Sequence, residues 1–324
     1  MRCWRACTFT VLVAAATQVV QAQPQEHAPG DQSLQADAVE AAELERLLSP
    51  ETDEQARQLL VARLVAQAQQ DGRAAFYLGA LYRSGMEHPA QLVERDLETA
   101  RHWLQKCVEA ERCPLLALAS LAELELAAGE PKAAMQWAQA WVVLERELDR
   151  QQRERDKHRQ TKGAPYQYTS YQAYLLERCY KAMGNARNKA ELGRAWFEEL
   201  VRARGTQLDR MLFTALEGPA AAPGGQRLEI SAEKQRTKVA DADTPTPPNP
   251  ALALYLYRGA PGGGRPESLH VIEALPTPLG ASWLIVQARS VRIKPYEPGA
   301  DGGRLYAELP MSFNDGQYSL VPDE

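Results

Sequence analysis

Between Ala36 and Gly218 the chain consists of short amphipathic segments, each stopped by a glycine, and this punctuation narrows the possible folds most. The region is rich in Ala, Leu, Glu, Gln and Arg, is poor in proline, and repeats apolar residues at helical spacing. Phe76, Leu78, Leu81 and Tyr82 share one face, as do Leu97, Ala100, Leu104 and Val108. Gly72, Gly85, Gly129, Gly184 and Gly205 are read as helix stops, because glycine accepts the left-handed conformation at a helix end. The expected helices are 36–48, 51–70, 73–84, 95–110, 114–128, 131–159, 168–183, 188–203 and 206–216. Helix pairs recurring every 30 to 40 residues predict stacked hairpins, an α-solenoid in which no pair can bury its apolar face alone.

From Gly218 to Pro250 the composition turns to Pro, Gly, Ala and Thr, the chemistry of a semi-rigid linker, with a short strand expected near Arg227 to Ile230. Beyond it the period becomes two. Leu252, Leu254 and Leu256 share a strand face, Gly262-Gly263-Gly264 makes a turn, and Leu269 and Val271 continue on a second strand. Leu279, Trp283 and Val286 share a helical face, and Leu305, Ala307, Leu309, Met311 and Phe313 alternate along a final strand after a Gly302-Gly303 turn. The expected fold is therefore mostly α, a helical repeat domain over 36–217, a linker over 218–250, and a small α+β domain over 251–316 with an antiparallel sheet and one helix. A tail follows at 317–324.

Two stretches resemble known families. Leu78, Gly79, Tyr82 and Gly85, followed by Asp96, Ala100 and Trp103, resemble one Sel1-like repeat over about 73–110. A second, looser unit from Leu118 to Trp141 is closer to a generic tetratricopeptide pattern, and a third unit is expected from Tyr174 to Leu200. The resemblance implies that Gly79 lets two helices approach, Gly85 ends the first, Asp96 caps the second and Trp103 fills the gap. It also implies a bridge between units where Cys107 and Cys113 stand. The run from Gly264 to Val271, Leu279-Gly280, Ala288 to Pro295 and Gly303 to Ala307 resemble the C-terminal domain of TonB over about 251–315. That family's usual Tyr-Pro near the domain start is missing, and so is the membrane helix that couples it to an energising complex.

Met1 to Ala22 has the marks of a cleavable secretory signal: Arg2 and Arg5, a short apolar run from Thr8 to Ala16, and Val20-Gln21-Ala22 as cleavage site. Residues 23–35 are expected to be a disordered mature N-terminus, and the protein to be periplasmic or secreted. In that compartment Cys107 and Cys113, with five residues between them across a helix-helix turn, are the natural pair, with Cys179 a buried thiol or an intermolecular link.

A formal charge of −5 argues against a nucleic-acid footprint, and the bases between Arg150 and Lys162 alternate with Glu154 and Asp156 as on a solvated face. No later stretch is apolar enough to span a membrane. The chain contains no G-x-S-x-G, H-E-x-x-H, G-K-[ST] or C-x-x-C motif. His27, His88, His102, His158 and His270 are scattered; His102 near the two cysteines lacks a fourth zinc ligand. No catalytic residue, cofactor or metal is assigned.

Trp103, Trp137, Trp141 and Trp196 recur at helical spacing, which fits inter-helix core or, more sharply, a concave face that stacks on a peptide. The expectation is a non-enzymatic periplasmic scaffold whose helical repeats hold a protein or peptide partner while the sheet makes a second contact. An accessory to TonB-dependent outer-membrane transport and an envelope enzyme with an unrecognised site are the alternatives.

Overall fold

The computed structural model describes residues 40–155, 168–217, 228, 249–297, 304–314 and 317–320, with side chains in the last strands as far as 312. The signal segment, residues 23–35, the Gly302-Gly303 turn and all of the 227–230 stretch but Leu228 lie outside them. A helix over 40–48 (α1) is followed by α2 (Glu54–Gln67), α3 (Gly72–Ser84), a 3₁₀ turn (Gly85–Glu87), α4 (Leu97–Glu109), α5 (Leu116–Ala127) and α6 (Pro131–Arg155). Then come α7 (Ser170–Ala182), α8 (Lys189–Glu217), β1 (Leu252–Arg258), β2 (Ser268–Leu275), α9 (Leu279–Ser290), β3 (Tyr306–Asn314) and β4 (Gln317–Leu320). The chain is mostly helical with a small antiparallel sheet.

Side-chain caps set the helix starts. Asp53 accepts from the Ala56 amide, Asp71 from Ala74, Asp96 from Glu98 and Thr99, and Thr169 forms a reciprocal box with Gln172. Gly85, Gly129 and Gly184 end helices with positive φ, as their positions predict. Two glycines do something else. Gly72 opens α3, where a Cβ would lie 2.4 Å from the Glu111 carbonyl oxygen. Gly205 follows a break at Arg204, whose φ/ψ are non-helical, so α8 is two helices meeting at a kink, in line with the expected split between 188–203 and 206–216.

Successive helices pack as hairpins, α3 on α4 and α5 on α6. At the first of these, a Cβ on Gly79 would come within 2.6 Å of Leu104 Cγ, so the missing side chain is what admits α4. Leu78, Ala100 and Leu104 are fully buried there, and Tyr82 lies partly exposed against the same core.

The sheet has the order β2-β1-β3-β4, every pair antiparallel. The segment 317–324, expected as a tail, contributes β4. Alternation divides the sheet cleanly. Ala253, Tyr255, Tyr257, Leu309 and Met311 pack under α9, whereas Leu252, Leu254, Leu256 and Leu275 face the helices and belong to their core. The linker therefore separates two stretches of sequence whose cores are continuous, giving three layers: helices, sheet, α9. α9 turns the shared face of Leu279, Trp283 and Val286 away from the sheet. Its buried side is Gly280, Ala281, Leu284 and Ala288, while Leu279 and Val286 point outward, 63% and 54% exposed, with Trp283 half-buried. Small residues allow the closer approach to the sheet: a Cβ on Gly280 would stand 3.2 Å from that of Ala251.

Candidate functional site

The helices that meet the sheet are α1, α3, α5 and α7, the alternate members of the array. Each brings a polar group to the seam or packs against it, so the face that these helices share is covered by the chain's own sheet.

The seam has three polar centres. In α1, Glu45 is nearly buried and accepts from Ser268, from Tyr306 (2.9 Å) and from Arg258 (2.8 Å). Burial would raise its carboxyl pKa, but the hydrogen bonds from Ser268 and Tyr306 and the Arg258 charge together hold it below the usual range. In α3, Tyr77 donates to Glu308 of β3; burial, then the Glu308 charge, pushes this phenol well above its ordinary value.

The third centre is the deepest. A one-residue bulge, in which Leu254 pairs with Glu273 but Tyr255 pairs with Val271, leaves Ile272 unpaired and turns both Ile272 and Glu273 toward the helices. Glu273 is fully buried and is clamped by Arg83 of α3 at 2.5 and 3.2 Å, by the Ser120 hydroxyl of α5 at 2.8 Å and by the Ala274 amide at 2.8 Å. Arg83 also donates to the carbonyls of Ala274 and Pro276. Behind it, Glu123 accepts from Tyr171 (2.7 Å) and from Arg178 (2.6 Å), tying α5 to α7. These charges are spent on one another, as a buried ionic group must be to offset its desolvation. The geometry is that of a lock between layers.

His88, beside the same seam, is 2% exposed. Its Nδ1 accepts from the Ala90 amide at 3.1 Å, and its Nε2 faces the backbone of Val271 and Ile272 without meeting a carbonyl at hydrogen-bonding geometry. Burial depresses its pKa to about 4.

The four tryptophans do not converge on a surface. Trp103, Trp137 and Trp141 are buried in the helical core, so the reading that places them on a partner-holding face is corrected: they are packing residues. Trp137 lies beneath the Arg204 guanidinium, and Trp141 meets Tyr171 edge-on. Trp196 is half-buried, packed against the same core. Cys107 and Cys113 form a disulfide with Cα atoms 5.2 Å apart, and Cys179 is a free buried thiol, its pKa pushed up to about 12 by burial and then by the Glu123 charge. The bridge joins the end of α4 to the loop that pins α3: the Glu111 carbonyl accepts from Gly72, and Arg112 pairs with Asp71 and Glu40.

Sequence reasoning missed the Arg83, Glu273 and Ser120 cluster. The available signal was one carboxylate inside the apolar run Val271-Ile272-Glu273-Ala274-Leu275. Comparison of the chain with protein-family models, with curated proteins and with solved structures found no match.

Proposed function

We propose that the protein is a non-enzymatic binding scaffold of the cell envelope, in which the helical hairpins form a fixed body and the sheet held on them takes a protein or peptide partner at β4. The observation that carries this reading is the strand order: β4 ends the sheet and is bonded only to β3 among the described residues. An edge of unpaired N–H and C=O groups is a ready template for another strand. The partner thus meets the sheet first, and the helices serve as its support. The envelope address rests on Met1 to Ala22.

A photocrosslinking residue placed at Gln317 or Ser319 in intact cells is expected to trap one defined partner, and removal of 317–324 to abolish the product. Labelling without any discrete product across growth conditions overturns the reading.

The order strand, strand, helix, strand over Leu252–Asn314 favours a second reading, an accessory to TonB-dependent transport. Deleting 251–324 would strip the cover from the helical core, so the informative variant is again the shorter deletion. Loss of iron or vitamin uptake without loss of folded protein supports it; unchanged uptake removes it.

A further inference from the structure

The outermost layer of the molecule is α9, and its outward face is not what a helix facing water ordinarily shows. Leu279, Trp283 and Val286 stand at i, i+4 and i+7 on that face, with Leu279 and Val286 more than half exposed. No other described helix carries two exposed large apolar residues within two turns. The helix could have hidden these residues and exposed its small ones, yet it buries Gly280, Ala281 and Ala288.

Charge singles out the same region. The chain carries a net charge of −5, yet from Pro276 to Tyr296 there is no Asp or Glu. Arg289, Arg292 and Lys294 follow the apolar stripe, all three exposed. The occupant is therefore anionic. A single convex ridge with an indole, followed by cations, is shaped for a flat and yielding surface, where apolar side chains enter the headgroup boundary and bases meet the phosphates. A partner helix would instead require a groove, and α9 offers a ridge.

We infer that the outward face of α9, through Leu279, Trp283, Val286 and Arg289, with Arg292 just beyond the helix end, docks the protein reversibly on an anionic phospholipid bilayer. This goes beyond the β4 reading and uses a different surface, so each stands or falls separately. Docking through α9 leaves the sheet seated on its helices, since α9 lies on the sheet face opposite them.

The test is flotation of the full mature chain with two kinds of vesicle, phosphatidylcholine alone and equal parts phosphatidylcholine and phosphatidylglycerol. The wild type is expected to bind the anionic vesicles at least about tenfold more strongly, and to release them as salt rises. Leu279→Ser with Val286→Ser alters only exposed positions; it is expected to lose at least about tenfold in binding with an unchanged melting curve. Arg289→Glu with Arg292→Glu is expected to lose the preference for anionic vesicles. Failure of the wild type to float with either vesicle overturns the inference, as does equal binding to both or binding that neither double variant weakens. If the vesicles are ignored while the Leu279/Val286 variant loses a crosslinked protein in cells, the face belongs to a protein and the lipid assignment is wrong.

Discussion

His88 is held neutral where its protonated form has no place. Its pKa is depressed to about 4 in the folded chain against an ordinary value of 6.5, so the unfolded chain takes up the proton first as the solution is acidified. The stability that neutral His88 supplies is complete above pH 6.5 and drains away as pH falls toward 4. Between pH 7 and pH 5 the loss should be about 2 kcal/mol, read by urea unfolding at each pH, and His88→Gln should flatten the curve. His270, whose pKa is lowered chiefly by burial, adds to the same slope. Glu273→Ala leaves the Arg83 guanidinium buried without its counter-charge and should cost about 3 to 5 kcal/mol. The double replacement Arg83→Met with Glu273→Leu should recover most of that loss, because the paired apolar groups carry no desolvation penalty. Residues whose roles are local were legible in the sequence: Gly79, Gly85 and Asp96 do what the repeat resemblance implies for them, since each acts within its own hairpin. Glu273 was not, because its partner Arg83 stands 190 residues earlier and nothing in the linear pattern joins them.

Among elements, the α4–α5 connection is the most tightly determined. Cys107 and Cys113 close a loop with a sequence separation of 6, and the loop pins α3 through Glu111 and Arg112. Replacing both cysteines by serine should lower stability by about 2 kcal/mol through the freed unfolded chain, measured as a shift of the denaturation midpoint. Both sulfurs are buried, so mild reductant should leave the native bridge intact and cleave it only on unfolding. Helix boundaries were readable to within a few residues because caps and glycines mark them. The face that a helix buries was less so. In α9 the apolar stripe marked an exposed side, because the sheet rewards close approach by Gly280 and Ala281 over burial of Leu279. β4 was taken for a tail because the four residues Gln317–Leu320 carry too little alternation to register as a strand.

At the scale of the whole molecule, Leu252, Leu254, Leu256 and Leu275 lie in one core with Leu78, Leu118 and Leu175. Helices and sheet should therefore unfold in one calorimetric transition, and residues 251–324 expressed alone should lack a melting transition; two resolved transitions would show separable units. The seam between layers also joins the two ends of the described chain. Glu45 closes on Ser268 and Tyr306, 223 and 261 residues further along. A chain delivered N-terminus first must therefore present its inner helical wall bare until nearly the last strand has emerged. Synthesis that stops short of Tyr306 yields a protein with every helix written and its apolar wall uncovered, a client for a holding chaperone. The time to maturity is thus set by the arrival of β3.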